Sequence, residues 1–232
     1  MTSPASPILA ANDKADIRRR FLAVDTCNVA DVLDTMDVLH QGLHPEFAPF
    51  ATGAPKLAGW AFTIRGQMAP FTGSGDPAKM QACQAIGADE VSVWSGDGQG
   101  VCYFGELIAL GMKERGAVGA LVDGGVRDTR WLGEHGIPVF ARYRTPVQSI
   151  GRWRVTGWGE PVWIAGATTE RVLVSPGDFI LADEDGAIAI PGALVMSVLE
   201  QAERLTAMEV RIREELHNGL SLAEALDKFG HV

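Results

Sequence analysis

Three observations predict an α/β fold. Between residues 57 and 141, short apolar runs of strand character alternate with helix-length segments. The connections between them are brief, which favours parallel βαβ units. Residues 143–190 then hold strand-like runs separated by turns, and a long amphipathic segment closes the chain.

The elements follow in order. Residues 1–12 are rich in Ala, Ser and Pro and are expected to fray. A helix is predicted from Lys14 to Phe21. A second runs from Thr26 to Asp34, with Val29, Val32 and Leu33 on one face for packing on a sheet and Thr26 or Asn28 as its cap. Leu57–Arg65 alternates as a strand does, and Pro70–Asp76 is a loop. Pro77–Gly87 reads as a helix and Glu90–Trp94 as a strand. The glycine-rich run Ser95–Gly100 leads to a helix over Phe104–Arg115, stopped by Gly116. Gly119–Val122 is a buried strand, Asp123-Gly124-Gly125 a turn, Asp128–Glu134 a short helix and Ile137–Ala141 a strand. Farther on, Val162–Ile164 and Ala187–Ile190 have strand character, with turns at Ser175–Asp178 and Asp183–Gly186. A helix from Ala193 to His217 ends at Asn218-Gly219. With no internal repeat and no clear linker, residues 1–232 read as one α/β domain with a C-terminal helical extension.

Composition narrows the function classes. The chain has 232 residues, 20 Lys+Arg against 29 Asp+Glu, and a formal net charge of −9. That lacks the global electrostatic footprint of a nucleic-acid binder. Cys27, Cys83 and Cys102 are far apart, which excludes C-x-x-C metal and redox motifs and fits a reducing compartment. No apolar run is long enough to span a bilayer, and the N-terminus does not read as a secretory signal. A cytoplasmic protein is expected.

Chemistry concentrates in residues 95–128. A glycine-rich loop before a helix leaves unpaired N–H groups facing an anion, although neither a P-loop nor a dinucleotide fingerprint is present. A plain strand-to-helix turn accounts for that loop about as well. Ligands in open parallel sheets bind beyond the carboxyl ends of strands, so the loops after Trp94 and Val122 should bring Glu106, Arg127 and Asp128 to one rim. A surface ion pair between Arg127 and Asp128 is the competing reading.

The runs Phe104-Gly-Glu-Leu-Ile-Ala and Gly119-Ala-Leu-Val-Asp-Gly-Gly-Val-Arg-Asp resemble the RraA-like family. An acidic residue, Glu106, precedes Arg127-Asp128 with residues 107–126, twenty in number, between them. The run from Pro176 to Pro191 also resembles the family, and the likeness covers roughly residues 25–215. The family includes class II pyruvate aldolases that cleave 4-hydroxy-4-methyl-2-oxoglutarate and 4-carboxy-4-hydroxy-2-oxoadipate. The resemblance implies a swivelling β/β/α domain assembled as a homotrimer or homohexamer. It implies that Asp128 directly ligates a divalent ion, Mg²⁺ or Mn²⁺, and that Arg127 contacts the keto oxygen of a 2-oxo acid. It places the substrate carboxylate on the backbone amides of Gly105, Glu106, Leu107 and Ile108, with Glu106 holding metal-bound water. Oxaloacetate decarboxylation is an implied side activity. Family members without the metal motif regulate ribonuclease E, and a methyltransferase label also occurs; Glu106, Arg127 and Asp128 together argue against the first, and no S-adenosylmethionine site supports the second.

The last helix adds Glu209. Val195, Val198, Ala202, Leu205, Ile212 and Leu216 form an apolar stripe, and Glu209 falls near its middle. A carboxylate there needs a partner. The resemblance implies that Glu209 of a neighbouring subunit completes the metal's water shell; an interface ion pair is the alternative. His40 and His44 have zinc-compatible spacing, but Gly42 and Pro45 make a helix doubtful there and no further ligand is apparent. Asp183, Glu184 and Asp185 read as a solvated turn. Residues 143–163, with Trp153, Trp158, Trp163 and several arginines, read as an atypical insertion; aromatics beside arginines can bind nucleic acid, but lining the site's mouth or packing a subunit contact is the favoured reading.

Overall fold

The apolar runs become a sheet, and the segments between them become its cover. The computed structural model describes residues 11–50, 53, 56–96 and 99–232. The chain opens with helices α1 (Ala11–Phe21) and α2 (Thr26–Thr35), then strands β1 (Ala48–Pro49) and β2 (Leu57–Met68). The central part alternates α3 (Pro77–Ala85), β3 (Glu90–Gly96), β4 (Cys102–Phe104), α4 (Glu106–Lys113), β5 (Gly119–Val126), α5 (Thr129–Glu134) and β6 (Val139–Arg144). The β-rich part holds β7 (Trp153–Trp158), β8 (Val162–Ala165), β9 (Arg171–Val174), β10 (Phe179–Asp183) and β11 (Gly186–Ile190). A 3₁₀ turn at Gly192–Leu194 leads into α6 (Val195–His217) and α7 (Leu222–Phe229).

The main sheet runs β1-β6-β5-β3-β2-β10-β11, with β4 beside β5 and β7 beside β2. The pairs β2–β3, β3–β5 and β5–β6 are parallel, as the short βαβ spacing predicts. Period-2 alternation sorts side chains between two faces. Trp94 and Val122 face a core shared with α3, α4 and α5, while Val91, Val93 and Leu121 face the separate β8–β9 hairpin. A third core packs α1, α2 and α6 on β2, β10 and β11 through Phe21, Val29, Phe179 and Val198. The predicted mixed α/β class with C-terminal helices is found.

Several local expectations change. Asp123-Gly124-Gly125 is strand, continuing β5 to Val126. The glycines serve close approach instead of a turn: a Cβ on Gly124 would lie 2.1 Å from the Tyr103 ring, and one on Gly125 2.5 Å from the Val101 carbonyl oxygen. Asp123 is buried and accepts hydrogen bonds from Arg142 (3.2 Å) and the Ala165 N–H (3.0 Å), tying β5 to the β8–β9 hairpin. Phe104 belongs to β4, and helix α4 begins only at Glu106. Asp128 precedes α5 as its N-cap. Helix α2 is capped by Asp25 with no side-chain cap bond; Thr26 instead donates its N–H (2.8 Å) and hydroxyl (2.5 Å) to Asp183. Asp183 is therefore buried and not solvated, and Lys56 lies 3.4 Å away. Helix α7, closed by a Ser221–Glu224 capping box, was not anticipated. The fraying expected at residues 1–12 and the middle of the glycine-rich run, Asp97-Gly98, lie largely or wholly outside the described residues.

Candidate active site

Strands β4 and β5 end side by side, and their exits make the site. Cys102 and Phe104 pair in parallel with Gly125 and Val126. The Arg127 N–H donates to the Phe104 carbonyl (3.1 Å), which holds the two exits together. The Glu106 N–H, first in α4, donates to Asp128 Oδ2 (3.2 Å), and Arg127 Nε lies 3.4 Å from the same oxygen. Gly105 is required between them: a Cβ there would lie 2.7 Å from Asp128 Oδ2 and 3.2 Å from Arg127 Cγ. Asp128 has φ 58°, ψ 31°, a left-handed conformation that costs about 1 kcal/mol outside glycine and that Asp tolerates better than most. That backbone turn directs the carboxylate back toward the start of α4.

A cavity of about 310 Å³ opens over this junction. Gly105, Leu107, Ile108, Arg127 and Asp128 line it, so the structure brings together five of the predicted residues. Leu107 and Ile108 N–H groups lie in the first helical turn, where no intrahelical acceptor exists. Glu106 differs: its N–H meets Asp128, but its carboxylate turns to His135 Nε2 at 3.2 Å and does not line the cavity. Glu209 lies on α6, where it pairs with Arg213 (2.6 Å) and His231 (3.6 Å) of its own chain.

Sequence reasoning missed Lys79 and Asp76. Asp76 caps α3, accepting from the Lys79 N–H (3.2 Å) and, through its other oxygen, from the Val155 N–H (2.8 Å). Lys79 is only 8% exposed and donates to the Tyr103 carbonyl. Its ammonium lies 5.4 Å and 5.8 Å from the ring centroids of Trp94 and Trp153. Burial, followed by weaker repulsion from Arg127, pulls its pKa below the ordinary lysine value. The available signal was a lysine at i−3 and i−4 from Ala82 and Cys83 on the buried face of α3. The segment 143–163 divides: Gln148, Ser149 and Ile150 line the cavity, Trp153 is buried against Tyr103 (4.3 Å between centroids), and Trp163 is exposed.

Among the described residues, no three His, Cys, Asp or Glu side chains gather as a metal cage. His40 instead meets Thr168 and His44 meets Glu46. Asp128 Oδ1 has no hydrogen-bond partner among the described residues, and the side chain is 38% exposed. One hard oxygen donor per chain fits a dication that keeps most of its water, and does not fit a closed zinc site. Among the described residues, no helix is long and apolar enough to cross a membrane.

The Aldolase/RraA family model matches residues 26–189. The chain belongs to the RraA-like family. A Halalkalibacterium halodurans protein provisionally named 4-hydroxy-4-methyl-2-oxoglutarate aldolase is 28% identical over 222 residues, 93% of this chain and 96% of that protein. Protein DlpA of Legionella pneumophila is 23% identical over 98% of this chain, which spans 36% of that protein's length. The crystal structure of an uncharacterised Pseudomonas syringae protein superposes with a TM-score of 0.82 at 23% identity, covering 99% of this chain and all of that one. That likeness shows a shared fold over nearly the whole chain.

Proposed function

We propose that this RraA-like chain is a divalent-metal-dependent carbon–carbon lyase that cleaves a 4-hydroxy-2-oxo acid and releases pyruvate. The observation carrying this reading is the convergence of Arg127, Asp128 and the start of α4 on one cavity at the β4 and β5 exits. The name of the H. halodurans relative supports it. The Leu107 and Ile108 N–H groups receive the substrate carboxylate, aided by the helix dipole. Arg127 places its planar guanidinium at the keto oxygen. Loss of the C4 hydroxyl proton to a water molecule sends the C3–C4 bonding electrons toward that oxygen, C4 becomes a carbonyl carbon, and return of a proton from water to C3 completes pyruvate. Arg127 stabilises the enolate charge as it develops. Asp128 is the residue that would hold Mg²⁺ or Mn²⁺, which when bound supplies Lewis-acid polarisation of the keto group. Glu106, held by His135, and Glu209 of a neighbouring subunit act through water. Oxaloacetate decarboxylation passes through the same enolate and belongs to the same proposal, as do a trimeric or hexameric assembly and a cytoplasmic location.

The test is pyruvate release from a panel of 4-hydroxy-2-oxo acids with Mg²⁺ and with chelator. Metal-dependent release supports the reading. No release from any member, together with inhibition of ribonuclease E by the purified protein, overturns it in favour of a regulator.

A further inference from the structure

We propose that the cavity selects 2-oxo acids that carry one carboxylate only and end in a hydrocarbon group beyond C4. This rests on the lyase reading for the bond that breaks, while the pocket's preference stands on its own observations. The charged side chains lining the cavity are Arg127 and Lys79 against Asp76 and Asp128. Arg127 is committed to the 2-oxo acid end. Lys79 gives its ammonium to the Tyr103 carbonyl beneath the cavity and is 8% exposed, so it is held away from a second carboxylate. Asp76 has both oxygens taken by the N–H groups of Lys79 and Val155, yet its negative charge still faces any second carboxylate. Arg152 lies nearby, but its guanidinium turns toward the Gln148 and Ile150 carbonyls, and it does not line the cavity.

The rest of the wall carries no charge: Ser74, Gln148 and Ser149 are its neutral polar side chains, and most of the remainder is apolar. Leu107 is 79% exposed and Met80 44% exposed at the mouth, with Ile108 and Ile150 beside them. A leucine left that open at the first turn of the substrate-binding helix gains when a hydrocarbon covers it. A carboxylate placed there would lose water and find no counter-charge. The distal carboxylate of 4-hydroxy-4-methyl-2-oxoglutarate is therefore a poor fit, whereas an alkyl terminus is a good one.

The experiment compares kcat/KM for 4-hydroxy-2-oxohexanoate and 4-hydroxy-4-methyl-2-oxoglutarate, alongside calorimetric binding of 2-oxohexanoate and 2-oxoglutarate. The wild type is expected to favour the alkyl member of each pair by about tenfold or more, the scale of a single well-matched apolar contact. Ile150→Arg is expected to erase or reverse that preference. Equal or better handling of the dicarboxylates overturns the proposal. Absence of turnover with retained preference for 2-oxohexanoate supports the pocket and sinks the lyase reading instead. Light scattering on Leu107→Arg addresses a different occupant: loss of assembly with unchanged binding preference would show that a second copy covers this wall, which also overturns the proposal.

Discussion

At the scale of single residues, Asp128 and Arg127 separate site from scaffold. Both side chains are substantially exposed, at 38% and 42%, so their removal leaves the core intact. Asp128→Ala is expected to reduce metal-dependent pyruvate release by about a thousandfold or more, with the melting temperature little changed. Arg127→Lys is expected to lose roughly a hundredfold, because a fork becomes a point charge. Turnover in a coupled pyruvate assay and thermal melts by circular dichroism check both. Asp183 is the structural counterpart. Burial pushes its pKa up, but bonds from Thr26 and Asp185 and the nearby Lys56 outweigh this and hold it below the usual carboxylate value. A depressed folded-state value means that the carboxylate stabilises the fold above its unfolded pKa of about 3.9 and loses that effect as pH falls below it. Asp183→Asn is therefore expected to lower the melting temperature at neutral pH and to flatten its decline below about pH 4. Arg127 and Asp128 were legible from a strand end followed by a charged pair. Asp183 was not, because a run of three acids in a turn looks the same whether or not a helix start 157 residues earlier in the chain closes over it.

At the scale of elements, the junction of β4 with α4 carries the largest misreading. The sequence Cys102-Tyr103-Phe104 is too short to show a strand period, and apolar residues before Glu106 extend a helical pattern equally well. Likewise Asp123-Gly124-Gly125 has turn composition, but its glycines admit the Tyr103 and Tyr143 rings from neighbouring segments, information that lies elsewhere in the chain. Parallel β2, β3, β5 and β6 were legible because each holds a short apolar run set off by a helix-length segment. Gly105→Ala tests the junction: the added methyl meets Asp128 Oδ2, so activity should fall by tenfold or more with a smaller effect on stability, roughly 1 kcal/mol or less. On α6, Glu209→Gln removes a carboxylate that within its own chain pairs with Arg213 and His231. If Glu209 serves a neighbouring subunit's ion, Mg²⁺ titration should show weakened binding while the mass by light scattering stays constant.

At the scale of the whole molecule, the sheet, its two covered faces and the closing helix follow from apolar periodicity, whereas assembly does not. Val210 on α6 and Leu222 and Leu226 on α7 remain exposed at 47%, 64% and 49%. Apolar side chains grouped on the terminal helices fit burial between copies. Light scattering is expected to give three or six times the 24.8 kDa chain mass, and Leu222→Glu combined with Leu226→Glu to shift it toward one. The strand exits, the cavity and most of α6 belong to residues 25–215, which the family resemblance covers, and α7 lies beyond them; the apolar part of the wall that distinguishes this pocket depends on Met80 and Ile150, which no motif singles out.

The aromatic stack beneath the cavity gives the protein an optical reporter of its own. Tyr103 lines the cavity and lies 4.3 Å from Trp153, whose ring centroid is 6.4 Å from that of Trp94. Rings this close couple electronically, so the near-ultraviolet dichroism and the emission of Trp94 and Trp153 record the polarity and packing of the space above them. A ligand entering the cavity changes the polarity above the buried Tyr103 ring and alters that signal, and Trp153→Phe weakens it. Occupancy of the site is thereby readable by light in the unlabelled protein, for ligands that turn over and for those that do not.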